Sequence, residues 1–359
     1  MVYFLGGQSP DGFRTDFDKL ISEKGYYTYI LKGGAGTGKS TLIHSIAERF
    51  SDRENADLYR CASDLNSLDA VVFNRSKAIV VDGTAPHTFD PEYPAVCQEI
   101  INLGELWDGE AIAANGEKII ALSEENKRLH LRSRRYIGAC AALCTDTVQI
   151  ASAAVNSEKL DGFALRLAAK ITGKSKRIRE GRLHLRQLSA MTSDGYVTCP
   201  PPDDYTVYLL NDPHQAGATA LLGRLAAHIL HGGHDVIASE CHILCSPLYE
   251  HILIPELKTA VMTSSSFNGF TSENKLPINM KRFYINQELA AKKQRIGFNR
   301  RGAKELSEEA AFSIGAALKV HDELERFYSS AMNFAALKPI EERISAAVER
   351  RMQCKCNLD

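Results

Sequence analysis

Apolar residues in this chain fall into short dense runs separated by longer stretches of helical composition. Tyr26 to Leu31 (YYTYIL) is rich in β-forming residues and predicts a strand. Thr41 to Phe50 (TLIHSIAERF) carries apolar positions at helical spacing and predicts a helix. A further strand is expected around Asp57 to Cys61, and Lys77 to Asp82 (KAIVVD) reads as a strand buried on both faces of a parallel sheet. Residues 4–13 read as a Gly- and Pro-bearing loop, Phe17 to Lys24 as a short helix, and Ser63 to Asp69 as a capped turn or short helix. Three prolines between Gly83 and Pro94 predict a stiff irregular loop. From Ile100 to Lys170 the chain is expected to be helical, with a second helix over Glu158 to Ile171, forming a hairpin appended to the sheet.

The pattern then repeats. SPDGF at 9–13 has a counterpart in TSDGY at 192–196, and residues 26–43 align with 204–222. Gly38 falls on Gly217, an offset of 179, while IGACA at 137–141 matches IGAAL at 314–318 with an offset of 177. Cys61, Leu68 and KAIVV fall near Cys241, Leu248 and TAVM at 259–262. Segments in the same order at nearly one offset predict a tandem duplication, with domains over 1–180 and 181–359.

Between the first strand and helix stands GGAGTGKST, which fits G-x-x-x-x-G-K-S/T. In that context the glycines let successive backbone N–H groups turn toward a phosphate, and the helix N-terminus adds partial positive charge. Gly33, Gly34, Ala35, Gly36, Thr37, Gly38, Lys39, Ser40 and Thr41 are therefore the expected nucleotide-binding residues. Lys39 would reach the β- and γ-phosphates, and Ser40 would ligate Mg²⁺. Asp82, at the expected carboxyl end of a strand, is the second candidate metal ligand. The polar loop after it offers His87 and then Asp90 as groups that position water or accept a proton. In the second copy Lys39 corresponds to Ala218, Gly33 and Gly34 to Asp212 and Pro213, and Asp82 to Thr263, so that copy is expected to be silent. It remains available to pair with the first half and to lend it an arginine.

Composition narrows the function. The 359 residues are 44% hydrophobic and 24% charged with net charge −1, as for a soluble protein without a global field for nucleic acid or an anionic membrane. The basic run at 170–186 reads as a charged linker, and no apolar run reaches the length of a membrane span. No signal peptide is read at the N-terminus, and the nine cysteines without a C-x-x-C pair read as reduced thiols, so a cytoplasmic location is expected. His231, His234, Cys241, His242 and Cys245 match no zinc spacing and read as core or surface residues, and the tail Cys354-Lys355-Cys356 as exposed. Asp82 is followed by Gly-Thr-Ala and no Asn-Lys-x-Asp occurs, which favours ATP over GTP.

LKGGAGTGKST, VVDGTAPHTFDPEYP, INLGELWD and a degenerate second copy with HILIPEL together resemble the tandem P-loop ATPase-like, nucleotide-kinase-like proteins of Firmicutes and related anaerobes. The resemblance covers nearly the whole chain, and Asp82 to His87 (DGTAPH) is its most specific part. It implies an α/β P-loop NTPase fold, a mostly parallel sheet flanked by helices, with cytoplasmic ATP binding at Gly33 to Thr41 and no defined substrate. Family members often keep a lysine-bearing loop in the second copy; NDPHQAGAT at 211–219 departs from that. The expected activity is Mg²⁺–ATP hydrolysis at one site. The alternatives are a small-molecule or nucleotide kinase and a nucleotide-gated scaffold. The scaffold stays open because Gly83, not an acid, follows Asp82.

Overall fold

The computed structural model describes residues 1–15, 17–86, 88–173, 179–244 and 248–356, with side chains to 353. His87, Cys245 and residues 174–178 of the basic run lie outside the described residues, as do the side chains of Cys354 and Cys356. The first part of the chain contains β1 (Val2–Phe4), β2 (Gly6–Ser9), β3 (Gly12–Thr15), α1 (Phe17–Ile21), β4 (Tyr27–Lys32), α2 (Lys39–Phe50), β5 (Ala56–Arg60), β6 (Leu68–Phe73), β7 (Ala78–Asp82) and β8 (Gln98–Asn102). Then come α3 (Gly109–Ala113), the long α4 (Gly116–Ala153) and α5 (Ser157–Thr172). The second part contains β9 (Leu183–Leu185), β10 (Ser189–Thr192), β11 (Gly195–Thr198), β12 (Thr206–Asn211), α6 (Ala216–His231), β13 (Val236–Glu240), β14 (Tyr249–Ile254), β15 (Thr259–Ser264) and β16 (Lys275–Asn279). It ends in α7 (Asn286–Ala291), the long α8 (Lys293–Ser330) and α9 (Leu337–Cys356).

Two six-stranded sheets result, with orders β1-β5-β6-β7-β4-β8 and β9-β13-β14-β15-β12-β16. The orders are the same once the strands are matched, and β6 and β14 are the antiparallel members of otherwise parallel sheets. Details recur as well. Ser9 Oγ donates to Gly12 O and accepts from Asp11 N; Thr192 Oγ1 does the same with Gly195 O and Asp194 N. Lys77 and Lys258 both have positive φ, and their carbonyls accept from Tyr27 N and Thr206 N. The fold is thus α/β, two similar mixed sheets of mostly parallel strands flanked by helices.

The compact units do not follow the expected boundary at 180/181. One comprises residues 1–7, 15–132 and 312–359, the other residues 8–14 and 133–311. Each sheet is covered by a helix from the other half of the sequence. In the first unit Ile43, Ile46 and Phe50 of α2 share a core with Val71, Val80 and with Ile344 and Val348 of α9. In the second, Leu221, Leu225 and Ile229 of α6 share a core with Ile252, Val261 and with Leu160 and Ala164 of α5. The exchange is reciprocal down to single bonds: Asn156 N donates to Phe283 O, and Asn333 N to Leu106 O. A hairpin appended to its own half is therefore replaced by helices that cross over. The long α4 and α8 carry the chain across.

Three local expectations change. Residues 4–13 are not a loop but contribute to β1 and the β2–β3 hairpin. Residues 98–102 form strand β8, paired in parallel with β4 over Thr28–Lys32, instead of starting a helix. The wholly buried run 68–73 is strand β6, closed against β7 by a turn whose Arg75 and Ser76 N–H groups donate to the Glu54 carboxylate. Among the described residues no helix is long and apolar enough to cross a membrane.

Candidate functional site

The carboxyl end of β4 runs into loop 33–38, and α2 begins at Lys39. Gly36 and Gly38 have φ of +67° and +79°, a region where a side chain is strained. There is no room either: a Cβ on Gly36 would meet Glu325 O at 2.6 Å, and one on Gly38 would meet Leu337 Cδ1 at 2.9 Å. Thr37 is buried, its hydroxyl donating to Gly34 O at 2.9 Å. Ala35 is half-buried and Thr41 exposed.

Lys39 is buried inside the loop it follows. Its Nζ donates to Gly33 O at 2.9 Å and Gly34 O at 2.7 Å, and lies 3.7 Å from Asp82 Oδ2. Asp82 ends β7, the strand beside β4, opposite Leu31, and the loop after β4 returns Lys39 to it. The other Asp82 oxygen accepts from Thr84 N and Thr84 Oγ1. Ser40 Oγ accepts from Leu68 N at 3.0 Å, which ties α2 to the start of β6.

That contact leads to a residue the sequence reading missed. Asp69 is only 8% exposed. Because β6 is antiparallel it begins where β7 ends, and Ala70 pairs with Val81, so Asp69 stands beside Asp82. Burial, and then the neighbouring Asp82 charge, push the Asp69 carboxyl up to about 8, with Cys61 and Lys39 acting the other way. The Cys61 thiol is raised by burial and by Asp69. An acid opening the apolar run LDAVVF was the available signal, but it reads as a turn until the strand direction is known.

The remaining candidates separate. Asp90 is 84% exposed and pairs with Lys32 Nζ at 3.1 Å, while Lys32 also donates to Gly83 O. It is not joined to the Lys39–Asp82 pair by any hydrogen bond or ion pair among the described residues. Above the loop, Glu325 of α8 accepts from Gly36 N at 3.2 Å. His321 beside Glu325, then the Gly36 N–H and Lys39, hold this carboxylate below its usual range. Trp107 stacks against Tyr328 and lies where a Cβ on Gly34 would meet it at 3.3 Å.

The second unit handles the corresponding loop differently. Asp212 accepts from Ala218 N at 2.8 Å and His214 N at 3.0 Å. Tyr284, which occupies the place of Trp107, donates its hydroxyl to the same carboxylate and accepts from Gly217 N at 2.7 Å. The amide groups that a phosphate would use are thus satisfied by the protein's own carboxylate and phenol. Behind them, Glu250 stands where Asp69 stands in the first unit. It accepts from Tyr196 Oη and Asn268 Nδ2, in a network in which Glu250, Asn268 and His251 are buried.

The donor set in the first unit fits an oxygen-seeking cation. Asp82 and the Ser40 hydroxyl are hard oxygen donors of the kind Mg²⁺ takes alongside phosphate oxygens. Among the described residues no cluster of three or more His, Cys, Asp or Glu forms a metal site by itself. Comparison with protein-family models, curated proteins and solved structures gives no match.

Proposed function

We propose that the chain is a tandemly duplicated P-loop protein that binds Mg²⁺–ATP at Gly33–Thr41 and hydrolyses it. The observation that carries this reading is the convergence of Lys39, which opens α2 after the glycine loop, and Asp82, which ends the strand beside β4, at 3.7 Å. The matching strand orders and repeated turns support the duplication. On this reading the chain is a cytoplasmic member of the tandem P-loop ATPase-like proteins its motifs resemble.

Bound Mg²⁺–ATP would supply the phosphoanhydride bond and neutralise its charge. The chain's part is to exchange partners. Lys39 would leave the Gly33 and Gly34 carbonyls for phosphate oxygens, and Gly36 N–H would leave Glu325. Asp82 and Ser40 would hold the metal, and Asp69 joins His87 and Asp90 as a candidate for positioning the attacking group.

The test is ATP binding and turnover by wild type and Lys39→Ala. The variant should lose binding, and wild-type affinity in it would sink the assignment. Free phosphate supports an ATPase, a phosphorylated acceptor a kinase, and tight binding without turnover a scaffold.

A further inference from the structure

The second unit holds a cavity of about 260 Å³ beside its self-satisfied loop. His214 of that loop forms one wall, and Arg300 and Lys304 of α8 form another. Arg300 and Lys304 are four residues apart and so lie on one helix face. Phe267 and Ile296 add apolar surface.

The charges here are not balanced locally. Asp146 of α4 is engaged by Arg295 and by the buried Asn299 amide. Asp212 is buried and spent on loop N–H groups and Tyr284. Lys304 has a 3.7 Å contact with Glu308, with both side chains mostly exposed, and such a pair contributes little.

We propose that this cavity is a binding site for a small molecule bearing one phosphate or carboxylate, held by Arg300 and Lys304 with its body against Phe267, Ile296 and His214. A guanidinium fork beside an ammonium matches an oxyanion, and the apolar wall favours a ligand with a ring or short chain over a bare ion. The site replaces the backbone cradle of the first unit with side chains. It does not depend on nucleotide binding at Lys39.

The test uses the full chain with Lys39→Ala, so that the first loop cannot account for binding, and titrates inorganic phosphate, phenyl phosphate and benzoate by calorimetry at low salt. Phenyl phosphate or benzoate should bind more tightly than inorganic phosphate, and which of the two binds better identifies the anion. Adding Arg300→Ala and Lys304→Ala, both on an exposed helix face, should weaken binding about ten-fold or more. In the wild-type chain the same probe should slow acylation of Lys304, a readout independent of the Lys39 variant's folding. Unchanged affinity in the Arg300/Lys304 variant, no binding below about 10 mM, or unprotected Lys304 overturns the proposal.

Discussion

The carboxylate of Glu325 accepts a hydrogen bond from the backbone N–H of Gly36 at 3.2 Å, so a protein anion stands at the mouth of the glycine loop. A triphosphate seeking that N–H competes with Glu325 and with the repulsion of its charge. Glu325→Gln is therefore expected to tighten ATP binding several-fold, because a charge-assisted bond is exchanged for a weaker neutral one. Calorimetric titration of the two proteins checks this, and weaker binding by the variant would show that Glu325 serves the site instead of closing it.

Asp82→Asn should separate metal use from nucleotide affinity. Lys39 and the loop N–H groups are untouched, so metal-free ATP binding should stay within about three-fold of wild type. Mg²⁺-dependent turnover should fall by about a hundred-fold or more, the scale of losing an electrostatic stabiliser of the transferred group. Turnover measured across a Mg²⁺ series tests it.

In the second unit, Asp212→Ala leaves the Ala218 and His214 N–H groups and the Tyr284 hydroxyl without their acceptor. Each buried group left unsatisfied costs about 1–3 kcal/mol. Chemical denaturation should show that loss in stability, while ATP turnover at the first loop stays unchanged. A rise in stability would mean the carboxylate is strained there.

Glu250 predicts a pH effect. Burial raises its carboxyl from the ordinary 4.5 to about 7, so the folded chain holds a proton that the unfolded chain releases. Stability should therefore fall as pH rises from about 4.5 to 7, with a slope of up to about 1.4 kcal/mol per pH unit from this residue. Glu250→Gln should flatten that segment of the stability profile. His251, lowered to about 3 by burial, acts oppositely, removing stability as pH falls below its ordinary 6.5.

The exchanged helices make a prediction at the end of the chain. Ile344 and Val348 of α9 are fully buried against α2. Ile344→Ala should cost about 2–5 kcal/mol in the first unit, as for other large-to-small core changes. A helix appended to its own half would leave that core untouched. Hydrogen exchange in α2 reports the difference.

Local chemistry along the chain was enough to single out the glycine loop, Lys39 and Asp82, because those features depend on residue type at short spacing. Strand β8 was hidden because its two isoleucines sit among polar residues that suit a helix start equally well. Asp69 was hidden because an acid's role at a strand end depends on which way the strand runs. Where Asp90 sits depends on Lys32, a partner 58 residues away that local sequence does not reveal. The placement of α5 and α9 lay furthest from view. Each helix presents an apolar face that would cover either of two similar sheets, and local periodicity cannot choose between them. Only the packing of α9 against α2 and of α5 against α6 shows which sheet each helix covers.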